Sequence, residues 1–339
     1  MSNVRILNAE ETKKLLSMAA VIRTVEQVYS EKAKGDTVVF PLVFHEFDPG
    51  HADMDIKSGW VKRADVFGLK LVAWFEGNKQ KDLPMLSGTI LVCDGSTGQP
   101  VGILDGAYIT GIRTGAAGAL GAKYLARPES ENLLIVGAGH VATFQIAATL
   151  MLMPNIKKVR IYDPIVFKGA KKMADTIRET LVHDFKMTIA KDIVFEAVED
   201  IQEATKKSDV VITVTPSKSP IILKEWVKPG THFSCIGADM KGKQEIDGNI
   251  LASARIFVDD VAQNCNVGEI ELPLKAGLIS KKDIIGELGH IINGVAVGRE
   301  NDEQITVYDA TGTALLDLLT GKLALDMAEK QNVGVCVTL

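Results

Sequence analysis

NLLIVGAGHVATFQIAATLMLMPNIKKVRIYD, residues 132–163, decides the fold. An apolar run at 133–136 enters a glycine turn, an apolar-rich segment of helical length follows, and a second β-branched run at 159–161 stops on Asp163. That order reads as a β-α-β unit. Within it Gly137 lets the chain turn sharply off the strand, Gly139 leaves room for a diphosphate to approach the backbone, and Ala142 lets the helix pack closely on the sheet. The N–H groups of the helix start then face an anion, with His140 and Val141 beside it. Asp163, at the tip of the second strand, is placed to accept hydrogen bonds from both hydroxyls of an adenosine ribose. A 2′-phosphate there would meet like charge, so the expected cofactor is NAD rather than NADP. A ligand-free structural turn can carry the same glycines, and it is the strand and helix on either side that favour a dinucleotide.

Working outward, 339 residues suggest about two domains and a cleft between them. A content of 46% hydrophobic and 24% charged residues is ordinary for a globular enzyme, and no segment approaches the ~20 apolar residues of a membrane span. The N-terminus shows no secretory signal, and Cys93, Cys235, Cys265 and Cys336 lack metal or redox spacing. A reduced cytoplasmic setting is expected. A net charge of −5 without a basic cluster argues against nucleic acid. The histidines show no metal spacing, so no metal is expected.

On the N-terminal side, Leu15, Leu16, Ala19, Val21, Ile22, Val25 and Val28 recur at near-helical spacing and predict one amphipathic helix over 9–34. Residues 38–105 are short β-type runs separated by turn clusters, a mostly antiparallel sheet. A small-residue helix from Thr110 leads into the nucleotide domain. Beyond Asp163, helices and strands alternate to residue 258, the pattern of a parallel doubly wound sheet. Residues 284–289 read as a turn, 305–308 as a strand and 312–327 as a long closing helix that could return to the first domain.

Ligands of doubly wound sheets sit at the carboxyl ends of the strands. Thr215 lies at one such end, in a hydroxyl-rich turn. Asp239 follows Gly237 and Ala238 at another, where a carboxylate in the cleft can serve as a general base or simply cap the next turn. Lys70 sits in an unusually apolar run and, if buried, needs a partner charge: a substrate carboxylate is one candidate, an edge-strand lysine the plain alternative. Lys57 lies in a similar run. Arg113, near the start of its helix, favours an anion or pairs with an acid such as Asp105.

The sequence resembles the ornithine cyclodeaminase/mu-crystallin family over nearly its whole length. The matching stretches are Gly68-Leu69-Lys70, LVCDGSTG at 91–98, ITGIRTGAA at 109–117, residues 137–142 and 213–217, residues 229–239 with Gly242-Lys243-Gln244-Glu245, and residues 307–312. The resemblance implies an α/β chain. A Rossmann-type doubly wound domain over 126–309 would join a mixed α+β substrate and dimerisation domain over 1–125 with 310–339. It further implies a homodimer, bound NAD(P), and chemistry at the α-carbon of a small amino acid or its imine. By position, Lys70 and Arg113 look like the carboxylate-binding pair, with Lys57 a further cation, and Asp239 looks like the catalytic aspartate, with Lys70 beside the chemistry. Arg113, Thr114, the glycine loop from Gly137 to Val141, Thr215 and Lys243 look like cofactor contacts. Where relatives often carry an arginine or glutamate before a Met-Pro pair, this chain has Asp55-Ile56-Lys57, and their Leu-Pro-Thr is Leu83-Pro84-Met85. An amino-acid dehydrogenase or imine reductase is the leading expectation. A cyclodeaminase that regenerates NAD in each cycle is the alternative; it wants an acid at the far end of its pocket, such as Glu46 or Asp55. A non-catalytic binding protein like mu-crystallin is a third.

Overall fold

The computed structural model describes residues 3–339. The chain begins with β1 (Asn3–Leu7), α1 (Ala9–Leu15), α2 (Met18–Ala33), β2 (Thr37–Val39), β3 (Val43–Asp48), β4 (Ala52–Val61), β5 (Val66–Phe75), β6 (Leu86–Asp94), β7 (Pro100–Asp105) and α3 (Gly106–Leu125). It continues through β8 (Asn132–Val136), α4 (His140–Leu152), β9 (Lys158–Tyr162), α5 (Phe167–His183), β10 (Val194–Ala197), α6 (Ile201–Lys206), β11 (Val210–Thr213), β12 (Lys218–Ile222), β13 (His232–Cys235) and β14 (Gln244–Ile246). Last come α7 (Gly248–Ala252), β15 (Ala254–Val258), α8 (Val261–Asn264), α9 (Glu271–Lys275), β16 (Ile284–Glu287), α10 (Leu288–Ile292), β17 (Ile305–Asp309), α11 (Ala314–Gln331) and β18 (Val335–Thr338). Two compact units result: Met1–Arg113 with Thr313–Leu339, and Thr114–Gly312. The division falls inside α3.

The first unit is a mixed eight-stranded sheet in the order β18-β1-β7-β6-β5-β4-β2, with β3 also paired to β4. Only β1 and β7 run parallel; the other neighbours are antiparallel. Helix α11 lies on this sheet, and glycines make the approach possible. A Cβ on Gly59 would stand 2.9 Å from Leu315 Cδ2, one on Gly68 2.8 Å from Leu318 Cδ2, and one on Gly102 would overlap Leu325. The three leucines share a helix face, so each strand glycine makes room for one of them.

The expected helix over 9–34 is two helices. Leu16 adopts an extended backbone, and Ser17 starts α2 as its N-cap, accepting from the Ala20 N–H at 3.3 Å. The helix expected from Thr110 begins at Gly106, where the Asp105 carboxylate accepts from the Ala107 N–H at 3.0 Å. Residues 284–287, expected as a turn, form the edge strand β16 beside β15; a four-residue run is too short for periodicity to distinguish the two.

The second unit holds an eight-stranded sheet in the order β10-β9-β8-β11-β13-β17-β15-β16. Every neighbouring pair is parallel. Its central strands are buried along their length: Leu133–Val136, Val210–Ile212 and Val307 are fully buried, as are the polar His232, Ser234, Thr306 and Asp309 of β13 and β17. Strand order reverses between β8 and β11, so the chain leaves β8, β11 and β13 on one edge, at Gly137, Val214 and Ile236. The fold is thus the Rossmann-type doubly wound sheet plus a mixed α+β unit that the sequence predicts.

Candidate functional site

In the first unit, β5 carries Lys70 and β4 places Lys57 directly opposite it in register. Opposite residues of an antiparallel pair share a face, so two like charges sit side by side. Lys70 is 3% exposed and Arg113, on α3, 6%. Between them stands Asp317 of α11, fully buried, with Oδ2 2.9 Å from Lys70 Nζ and Oδ1 accepting from Arg113 Nε at 2.9 Å. Thr110 Oγ1 is 3.5 Å from Lys70 Nζ. The partner of Arg113 is therefore Asp317, while Asp105 caps α3 instead. Burial, and then the Arg113 charge, pull Lys70 down to about 8 despite Asp317; Lys57 adds to the lowering. Asp317 is held below the ordinary carboxylate value by Arg113 and Lys70, which outweigh the opposing effect of its burial.

Two buried cations thus face one buried carboxylate. A buried excess positive charge is expensive unless something compensates it. Asp317 escapes a sequence search because it lies 204 residues from Arg113. The signal available was one acid among the leucines of ALLDLL, residues 314–319.

In the second unit, Gly137 has φ +109°, a conformation that L side chains rarely adopt, and its N–H donates to the Tyr162 carbonyl at 2.7 Å. A Cβ there would stand 3.0 Å from Thr215 Cγ2, so the glycine loop and the turn after β11 lie against each other. Gly139 is the N-cap of α4 and offers no side-chain cap; a Cβ built on it meets nothing within 4 Å. Open space before an uncapped helix start is the shape a diphosphate requires. A cavity of about 310 Å³ opens beside it, lined among others by His140, Thr143, Gly169 and Lys172. Partial desolvation lowers the His140 imidazole below its usual value. Val141 follows in the first turn of α4.

Asp163 is engaged by the fold itself. Its Oδ2 accepts from the Ala138 N–H at 3.2 Å, and its Oδ1 from the N–H groups of Ile165 and Val166 at 2.9 Å each. The acid ties the glycine loop to the turn after β9, and its remaining lone pair is what a ribose hydroxyl can use. Thr114 offers its carbonyl to Gln145 Nε2 at 2.9 Å. Asp239 lies in the turn after β13 and accepts from Lys243 Nζ at 2.6 Å, its side chain 46% exposed and that of Lys243 17%. Lys70, Lys57 and Arg113 thus stand together in one unit. The glycine loop, Asp163, Thr215, Asp239 and Lys243 line the strand-end edge of the other. Among the described residues, no three of His, Cys, Asp and Glu are placed to hold a metal ion, and no helix is long and apolar enough to cross a membrane.

The sequence profile of the ornithine cyclodeaminase/mu-crystallin family matches residues 3–332. Over 329 residues the chain is 36% identical to the alanine dehydrogenase of Archaeoglobus fulgidus, covering 97% of this chain and 96% of that one. Among solved structures, an archaeal alanine dehydrogenase dimer with bound NAD superimposes with a TM-score of 0.91 at 35% identity, covering 99% of both chains. The Thermococcus litoralis Δ1-pyrroline-2-carboxylate reductase, in complex with NADH and L-proline, does so with 0.90 at 32%, over 98% of this chain and all of the other. The chain belongs to the ornithine cyclodeaminase/mu-crystallin family.

Proposed function

We propose that this chain is an NAD-dependent oxidoreductase acting at the α-carbon of a small amino acid or of the corresponding imine. The observation that carries the reading is the buried cluster of Lys70, Arg113 and Asp317, whose excess positive charge suits a substrate carboxylate. Lys70 and Arg113 bind that carboxylate, and Asp317 keeps both cations in place; Lys57 adds positive potential on the same sheet face. The N–H groups of the glycine loop and of the start of α4 hold the diphosphate, Asp163 meets the adenosine ribose, and Thr114, Thr215 and Lys243 complete the contacts. NAD supplies the hydride acceptor for the substrate α-carbon, and in reduced form the donor. Asp239 exchanges a proton with the substrate nitrogen or with the water that adds to the imine. Fixing the substrate by its carboxylate is worth several kcal/mol through orientation alone.

Net redox is favoured over cyclodeamination because Lys57 stands in place of a glutamate that could receive a side-chain amine. The test is a panel of amino acids and cyclic imines with NAD(H) and NADP(H), following nicotinamide absorbance and ammonia together. Steady cofactor turnover with small amino acids or their imines is expected; ammonia released without net cofactor change would assign the cyclodeaminase reaction instead. Asp239→Asn should lower turnover by about 10²- to 10⁴-fold and retain NAD binding, and most activity surviving would remove Asp239 from the chemistry.

The assembly we infer is a homodimer through the first unit. All six residues of β3 are exposed, and Phe40, Leu42, Phe44, Phe47, Met85 and Leu86 present apolar surface there. A monomer by sedimentation at micromolar concentration would refute it. Four free cysteines, two of them buried, fit a reducing cytoplasm.

A further inference from the structure

The segment 237–246 carries Asp239 and Lys243, and three buried glutamates grip its backbone. Glu245 accepts from the Thr215 N–H through Oε1 at 2.6 Å and from the Gly237 N–H through Oε2 at 2.9 Å, joining the chain that leaves β11 to the chain that leaves β13. Glu269 accepts from the N–H groups of Glu245 and Ile246 at 2.6 and 3.3 Å, which fixes the backbone from which Glu245 reaches. Glu271 accepts from the Gly242 N–H at 2.8 Å and pairs with Lys275. Glu245 and Glu269 are fully buried and Glu271 is 1% exposed. A Cβ on Gly237 would come within 2.6 Å of Glu245 Oε2, so the fit is close.

We propose that Glu245, Glu269 and Glu271 are positioning residues: together they clamp the Asp239-bearing segment against the turn that carries Thr215. The inference rests on the reading of Asp239 as the proton-handling group. A carboxylate that accepts two backbone N–H groups from different strand ends locks their spacing in a way that no single ladder bond does. Glu271 has its lysine, but around Glu245 and Glu269 stand further acids. Asp309 at the end of β17 acts on Glu269, Asp259 at the end of β15 acts on Asp309, and the Cys235 thiol on β13 is pushed up by burial and by the carboxylates of Glu269, Asp309 and Glu245. Burial raises Glu245 to about 7, and burial with the charges of Glu245 and Asp309 raises Glu269 well above its ordinary value. A proton retained among these carboxyls spares the clamp from full mutual repulsion near neutrality.

The experiment compares kcat and KM of Glu245→Gln, Glu271→Ala and Asp239→Asn in the full-length protein. The dinucleotide dissociation constant is measured for each, and circular dichroism confirms the fold. Glutamine cannot accept both N–H bonds, so Glu245→Gln should lose about 10- to 100-fold in kcat, the scale of a small misplacement at a reacting group. KM for the amino acid should stay within about twofold, since Lys70 and Arg113 are untouched. Glu271→Ala, the outer clamp, should lose about 3- to 10-fold; where Glu245→Gln does not fold, this variant decides. Added to Asp239→Asn, Glu271→Ala should cost less than about twofold further, because a residue acting through Asp239 has nothing left to position. Unchanged kcat in a folded Glu245→Gln or Glu271→Ala, or an undiminished Glu271→Ala loss in the Asp239→Asn background, would overturn the clamp. If Asp239→Asn itself stays active, the role of Asp239 fails first, and the two failures are distinct.

Discussion

Lys70, Arg113 and Asp317 in one unit, and Glu245, Glu269 and Asp309 in the other, are both sealed from water, yet they are unbalanced in opposite directions. The first has two cations for one carboxylate, and its compensation falls to Asp317 and, on our reading, to a ligand. The second sets acid against acid and is quieted from within, by backbone N–H groups and by protons that burial retains. A buried imbalance left open invites an anion. One closed by backbone donors positions the chain.

Asp317→Ala breaks the first cluster most severely. Two buried cations would lose their carboxylate, a change costing about 3–5 kcal/mol in comparable buried pairs, and a lowered denaturant midpoint measures it. A loss below about 1 kcal/mol would mean that Lys70 and Arg113 relax to other partners, and the site would not be a charge trap.

Stability against pH separates the two clusters by sign. Glu245, raised from 4.5 to about 7, stabilises the folded state below its unfolded value, and that contribution is lost as pH rises towards 7. Lys70, lowered from 10.5 to about 8, stabilises above 10.5, and that contribution is lost as pH falls towards 8. Each titration has a limiting slope of about 1.4 kcal/mol per pH unit, falling with pH for the acid and rising for the lysine. Urea melts across pH should show Glu245→Gln flattening the acid limb and Lys70→Met the alkaline one; the same limb changed by both variants would mean that the clusters do not titrate independently.

The smallest effect on stability is expected at the glycine loop. Gly139 has φ −83° and open space before it, so Gly139→Ala should shift stability by less than about 0.5 kcal/mol. It should nonetheless weaken NAD binding about tenfold by calorimetry, because the methyl group occupies the diphosphate approach. Unchanged affinity would place the diphosphate elsewhere.

The β-α-β unit is legible in the sequence because strand, turn and helix signals are local and contiguous. Lys70 and Arg113 stand out for a related reason, charge set in apolar or helix-start surroundings. Asp317 does not, since its meaning comes from two strangers in sequence that meet it only after α11 docks. The break at Leu16-Ser17 is invisible to periodicity, because apolar spacing continues across it while a single cap restarts the helix. For Asp239 the sequence offers either a base or a turn cap, and its ion pair with Lys243 follows from a turn geometry that no pattern encodes. Glu245 falls in a stretch that marks the family, yet its hold on Thr215 and Gly237 depends on β11 and β13 being neighbours, a fact of topology.

The leucines of α11 that settle over Gly59, Gly68 and Gly102 also tie two distant stretches of the chain into one unit. Residues 114–312 form one uninterrupted unit, whereas the first unit is discontinuous: its sheet is built from β1 to β7 together with β18, and α11 lies on it. Without α11, Lys70 and Arg113 have no Asp317 between them. On our reading the anion site therefore depends on two stretches of chain that the second unit separates in sequence, and a chain cut short before residue 314 should lose it.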